Sequence, residues 1–215
     1  HIREIFIAPP SVLEAGPQNA GLQPVVGSHS LFVLDGDEHA RHRRLITPVL
    51  QGSRARDIGR LAELHTADAV AQWPIGQPFE LAPHLGQLVL RIILHALCSN
   101  DDLMAPFAQL IAAYSSALVP MLAFWKIDPV RYFPRLRNTK STLDQAVYSA
   151  IKRRREGESG SDGLGLLLSA RDPQGRGLDD TELRDELLSL VLGGHETTAG
   201  ALAWVIELLV DHPAV

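Results

Sequence analysis

A helical pattern running from Thr181 to about Val210 constrains this chain more than anything else in it. At about 1.5 Å per residue it spans roughly 45 Å, whereas an average globular helix has only ~11–12 residues. Apolar residues recur with helical spacing at both ends, in "LLSLVL" and "ALAWVIELL", but the centre reads Gly193-Gly194-His195-Glu196-Thr197-Thr198. Two internal glycines cost about 1 kcal/mol each relative to alanine and two threonines several tenths each, roughly 3 kcal/mol in all. A penalty of that size needs a reason.

Three readings compete. "HETTA" begins like the H-E-x-x-H helix of zinc proteases, but the position that must supply the second histidine is Ala199, so this reading fails. In a purely structural reading the glycines admit a neighbouring helix and the threonine hydroxyls bond to carbonyls one turn earlier. The third reading lays the helix across a reaction centre. Gly193 and Gly194 would open a groove for a flat ligand or a diatomic molecule, and Glu196 and Thr197 would relay protons into it. Thr197 would also loosen the helix by taking up backbone hydrogen bonds, letting a water enter.

The rest of the chain is helical by the same test, and no alternating run nominates a sheet. A short helix is expected around Ile2 to Ile7, ending at Pro9-Pro10, with another after Ser11. Residues 16–34, rich in Gly, Pro, Asn and Ser, read as a long loop of the length that is more often functional than incidental. Asp35 and Glu38, and again Asp179 and Glu182, have capping-box spacing at helix starts. Further helices are expected over about Ser53 to Gln72, in "FELAPHLGQLVLRIILHALC", from Asp101 or Asp102, and over roughly Leu136 to Glu156. Phe124, Trp125, Tyr132 and Phe133 mark a proline-spaced connector, "DGLGLLLSARD" a short helix and "PQGRG" a turn. No repeat of 20–50 residues is visible. The fold class is all-α as far as the chain goes.

Net charge is −5, which argues against nucleic-acid binding; the clusters "RHRR" and "KRRR" lie next to acids, and the second reads as a solvated helix face. One cysteine, Cys98, excludes a disulfide framework and points to the cytoplasm. Arg91 and His95 break the longest apolar stretch, so no membrane span is expected. The chain opens on His1 and stops at "DHPAV", where Pro213 reads as the start of a new helix, so residues 1–215 are expected to be one partial domain cut at both ends.

The segment Gly193 to Thr198 resembles the oxygen-activation motif of cytochrome P-450, the haem-thiolate monooxygenases, in which A/G-G-x-D/E-T-T/S lies on a long helix crossing the haem. "DGDEHARHRRLITPVL" is similar to that family's helix in which a His or Trp and an Arg four residues on hold a haem propionate; here these are His39 and Arg43. The charge logic stands apart from the resemblance. Positions i and i+4 share a helix face, and two cationic or donor groups there repel unless an anion lies against them. His39 also sits near the positive end of its helix, where an anion is favoured.

The resemblance implies the helical front and middle of a bacterial-type enzyme whose whole fold is mainly α with small β-sheets. It implies haem as cofactor, O2 and a small lipophilic organic substrate, and a ferredoxin- or flavoprotein-type electron donor. Thr197 would position water and hydrogen-bond to dioxygen, Glu196 would pass protons from solvent, Gly193 and Gly194 would leave room for oxygen and substrate, and His39 and Arg43 would hold a propionate. Arg41 and Arg44 are candidates for docking the donor, with a merely exposed basic face as the alternative. The loop before Leu34 and the helices near Asp101 to Val119 would line the substrate pocket.

The chain departs from the family where the iron ligand should be. No F-x-x-G-x-x-x-C loop is present, and Cys98 has Leu94 and Arg91 in place of the glycine and phenylalanine, so it reads as a small buried hydrophobe. The family's E-x-x-R pair is also missing; Glu38 and Arg41 have the spacing in the wrong helix. The chain alone should therefore be inactive. Two alternatives stay open: a non-catalytic truncated remnant, and a helical scaffold without haem.

Overall fold

The computed structural model describes residues 2–8, 12–99, 101–115, 128–157 and 160–213. Among them every regular element is helical, with no strand. In chain order these are α1 (Ile2–Ile7), α2 (Gly16–Asn19), a 3-10 turn (Ala20–Leu22), α3 (Gln23–Val26), α4 (Gly36–Leu50), α5 (Ser53–Ala71), α6 (Leu81–Cys98), α7 (Met104–Tyr114), α8 (Pro129–Tyr132), α9 (Pro134–Arg155), α10 (Gly163–Ser169) and α11 (Asp180–Asp211).

The core forms where α6 lies along α11, with α5 on its other flank and α7, α9 and α10 closing the remaining sides. Period explains who faces inward. Leu183, Leu187, Leu188 and Val191 of α11 and Leu136, Leu143, Val147 and Ile151 of α9 recur at three-, four- and seven-residue steps and are almost fully buried. Phe107 and Leu110 of α7 fill the space between them. Helix α6 has the length and hydropathy of a membrane span, but Leu85, Leu88, Val89, Leu90, Leu94 and Leu97 are buried against these neighbours. Cys98 ends the helix as a buried free thiol, as its sequence setting predicts, and burial pushes it up to about 12.

Helix α11 changes character along its length. Its first half is buried; from Glu196 onward most residues are exposed, Trp204, Leu208 and Val210 among them. At its start the predicted capping box is present. The Asp179 carboxylate accepts from the amides of Thr181 and Glu182, and Glu182 accepts from the Asp179 amide at 2.8 Å. Asp179→Ala is expected to cost about 1 kcal/mol, read as a lowered urea midpoint with an unchanged slope.

The second predicted box does not form. The Asp35 carboxylate leaves the start of α4 uncapped and instead accepts from the amides of Ala15 and Gly16, at 3.1 and 2.8 Å. Residues 16–34 are correspondingly not one long loop. Pro17 and Pro24 sit in the first turns of α2 and α3, and the chain folds into short helical turns with Val25 and Val26 in the core. The "KRRR" cluster is only partly solvated: Arg154 is turned inward onto Asp162, which caps α10 through the Gly165 amide. No side chain caps α7; it starts at Met104, beyond both aspartates. The helix expected after Ser11 is absent from residues 12–15, while Pro9, Pro10, Ser11, Phe124, Trp125 and the chain beyond Pro213 lie outside the described residues.

Helices α5 and α6 meet through stacked imidazoles, His65 on His95, with centroids 4.6 Å apart. His65 Nε2 and His95 Nδ1 are buried without a partner among the described residues. Burial, then the charges of His95 and Arg91, hold His65 below its ordinary value, against the pull of Asp68 and Asp101. The unfolded chain therefore takes up this proton at higher pH than the folded one. The contribution is whole above the unfolded value of about 6.5 and is lost as pH falls below it. Urea midpoints between about pH 7.5 and about pH 5.5 should fall more steeply for the natural chain than for His65→Gln.

Candidate functional site

The motif predicted on α11 lies on unbroken helix. Gly193 and Gly194 are bare because two side chains press on them. A Cβ on Gly193 would come to 3.1 Å from Phe32 Cζ, and one on Gly194 to 3.0 Å from Ile93 Cδ1. Both glycines line a cavity of about 450 Å³ walled by Leu31, Phe32, Leu50, Ile58 and Ile93. Its walls are apolar almost throughout; Ser189 is the polar exception, and its hydroxyl is already bonded to Ser30 and to the Asp185 carbonyl.

The Thr197 hydroxyl donates to the Gly193 carbonyl at 2.6 Å and faces the exposed side of α11. The back-bond of the structural reading is therefore present, and the loosened helix is not: α11 runs on through Thr197. Glu196 lies on another face. Its Oε1 accepts from the Ser115 hydroxyl at 3.2 Å, just past the end of α7. Burial, then the charge of Glu196, raises the Tyr114 phenol. Glu196 and Tyr114 line a smaller cavity of about 160 Å³, and Phe32 borders both cavities. His195, between these groups, is buried and donates its Nε2 proton to the Gly86 carbonyl at 3.0 Å, stapling α11 to α6.

His39 and Arg43 sit one turn apart on α4, half-buried and exposed respectively. Neither side chain makes a hydrogen bond or ion pair with a described residue, so the pair has unused donors on one face. The residues between them turn inward. Arg41 is buried, donating through Nε to Asp172 at 3.0 Å, through Nη1 to Glu182 at 2.8 Å and through Nη2 to the Gly177 carbonyl. Its role as a docking residue is thereby withdrawn, because a guanidinium held on three sides has nothing left for a partner; Arg44 remains exposed. His42, missed as a site residue, is also buried, with Nδ1 at 2.7 Å from Glu186 and Nε2 at 3.3 Å from Glu182.

The structure thus gathers Gly193 and Gly194 at one cavity, Glu196 at another, and His39 with Arg43 on α4; no direct contact joins the three. For a flat apolar ligand carrying carboxylates, the bare glycines and the unpaired His39 and Arg43 suit its plane and its acid groups. Cys98 does not suit an axial iron ligand, being 3 % exposed and held protonated. Among the described residues no group of three or more His, Cys, Asp or Glu could hold a metal ion.

Comparison with known proteins bears on the same geometry. The family model "Cytochrome P450" matches residues 1–215. Putative cytochrome P450 137 of Mycobacterium tuberculosis is 36% identical over 222 residues, covering 98% of this chain and 46% of that protein. Putative cytochrome P450 135B1 of Mycobacterium bovis is 32% identical over 231 residues, covering 99% of this chain and 47% of that protein. Retinoic acid bound cyanobacterial CYP120A1 superposes with a TM-score of 0.72 at 22% identity, over 90% of this chain and 44% of that one. The heme domain of cytochrome P450DA gives 0.71 at 24% identity, over 94% and 46%. At these identities the superpositions speak for the fold. The chain spans about half the length of the curated relatives it matches.

Proposed function

The chain belongs to the cytochrome P450 family, and from that premise we propose that it is the helical front half of a haem monooxygenase acting on a small lipophilic substrate. The observation that carries this is the pair Gly193 and Gly194, kept bare on an unbroken helix beside an apolar cavity, with the Thr197 hydroxyl one turn on. Haem, when bound, supplies the chemistry of O2 reduction and oxygen insertion: RH + O2 + 2 e⁻ + 2 H⁺ gives ROH + H2O.

This chain's own residues hold, shape and move protons. His39 and Arg43 offer their unused donors to a propionate, supported by the absence of a hydrogen-bond or ion-pair partner for either among the described residues. Gly193 and Gly194 leave room for O2 and substrate, and Leu31 and Phe32 keep water out. Glu196, exposed and hydrogen-bonded to Ser115, takes protons from solvent. Thr197 exchanges its bond to the Gly193 carbonyl for one to a water and passes the proton inward. Electrons come from a ferredoxin- or flavoprotein-type donor, with Arg44 exposed on α4 for docking. We assign the protein to the cytoplasm, in keeping with its one buried, free thiol.

The test is the source DNA beyond the codon for Val215. A frame that continues into E-x-x-R and F-x-x-G-x-x-x-C, giving a protein with a thiolate-type haem spectrum, supports the reading. A stop codon there overturns it in favour of the remnant without an iron ligand.

A further inference from the structure

The first half of α4 reaches α11 through charged side chains: Arg41 to Glu182, and His42 to Glu182 and Glu186. The second half is seated differently, by Leu45, Ile46 and Val49 in the apolar core. His39 and Arg43 belong to the charged half, on either side of the two inward-facing residues.

The cluster's charges sum to zero with all three carboxylates ionised and His42 a cation. Three carboxylates face this cluster: Asp172 from the turn after α10, and Glu182 and Glu186 from α11. Arg41 and Arg176 supply two cations, Arg176 through its own contact with Asp172. The third cation is His42, provided both its ring nitrogens carry protons. With Glu182 and Glu186 both ionised the geometry favours that state, since each nitrogen faces a carboxylate oxygen; burial raises the Glu186 carboxyl, against the opposing bond to His42. Glu38 stands 3.8 Å from the Arg41 guanidinium at the exposed rim, and neighbouring Asp185 is committed to Arg184 and His29. Glu186 is itself fully buried, and its Oε2 lies 3.5 Å from the Leu31 amide, next to Phe32. Buried ion pairs add little net stability over well-packed apolar residues; what they add best is registry.

We propose that Glu186 is a positioning residue: through a doubly protonated His42 it fixes the first half of α4, so that His39 and Arg43 meet one anionic ligand together. This rests on the reading of His39 and Arg43 as propionate holders. Burial alone would lower the imidazole, and the bond to Glu186 with the charges of Glu186 and Glu182 raises it instead.

The experiment compares binding of protoporphyrin IX, which carries free propionates, with binding of its dimethyl ester, followed by tryptophan quenching on the full chain. The ester adsorbs to apolar surface more readily than the acid, so the acid-to-ester ratio of affinities is compared between chains. That ratio should be about tenfold higher in the natural chain than in Arg43→Ala, the worth of one charge-assisted hydrogen bond. Glu186→Gln, at a residue with no hydrogen bond or ion pair to His39 or Arg43, should lower the ratio as far as Arg43→Ala does. A ratio kept by Glu186→Gln but lowered in Arg43→Ala overturns the positioning role alone. An equal ratio in the natural chain and in Arg43→Ala overturns the propionate reading, and with it this proposal. Nitrogen-15 NMR of the natural chain tests the same point without a variant: His42 carries both ring protons at neutral pH, and a single protonated nitrogen overturns the proposal.

Discussion

Arg184→Ala is expected to cost about 3–5 kcal/mol, a large share of the ~5–15 kcal/mol by which a domain is ordinarily stable. This guanidinium is 4% exposed and spends every donor. Its Nε donates to Asp144 at 2.8 Å and Nη2 to the same carboxylate, while Nη1 donates to Asp185 at 2.7 Å. The Val25 and Val26 carbonyls take the remaining bonds, so the arginine also ties α3 to α11. Removing it strands the Asp185 carboxylate, 3% exposed, with only His29 beside it. Arg184→Lys keeps the charge and loses the fork, and should fall between the two. The measurement is urea unfolding followed by far-UV circular dichroism. A loss below about 1 kcal/mol would put this network on a par with a surface ion pair.

The same network marks where sequence reasoning stops. Helices were legible because their apolar positions repeat locally, and so was the capping box at Asp179, whose two partners lie within three residues. Asp35 and Glu38 have identical spacing, yet Asp35 bonds to amides nineteen and twenty residues upstream. Nothing local distinguishes the two cases. Arg41 and Arg44 look alike in "RHRR", but Arg41 meets acids more than a hundred residues away. The hint available was period: Arg41 and His42 fall on the same face as Leu45, Ile46 and Val49, and a charged pair on an apolar stripe signals buried partners. Gly27 shows another limit. Its φ of +95°, with Asp185 Oδ1 2.0 Å from where a Cβ would stand, lets the backbone lie against that carboxylate; in sequence it is one of 17 glycines. The motif at Gly193 to Thr198 stands out in the sequence because its residues make poor helix; its reading as chemistry comes from the family resemblance. Its division between two cavities was not legible, because Phe32, which borders both, comes from the segment 16–34, whose course against α11 no local spacing sets.

In the whole protein, Thr197→Ala and Gly193→Leu should fail in opposite ways. Thr197 is exposed, and its hydroxyl bonds only to the Gly193 carbonyl, so alanine removes no packing and slightly favours the helix. Folding and substrate binding should stay as they were. What goes is the hydroxyl proposed to hand protons from the Glu196 side toward the glycine face. Hydroxylated product per electron consumed should fall on the order of 100-fold, the low end for a positioned proton donor. Gly193→Leu acts on space instead. A Cβ there already meets Phe32 at 3.1 Å, and the remaining side chain must enter the cavity of about 450 Å³. Substrate affinity should drop about tenfold or more, while the electrons that are consumed still go to product. Measuring product, electrons consumed and substrate affinity on both variants separates the roles. Equal loss of affinity in both would mean that Thr197 is part of the wall, and the proton role assigned to it would fall.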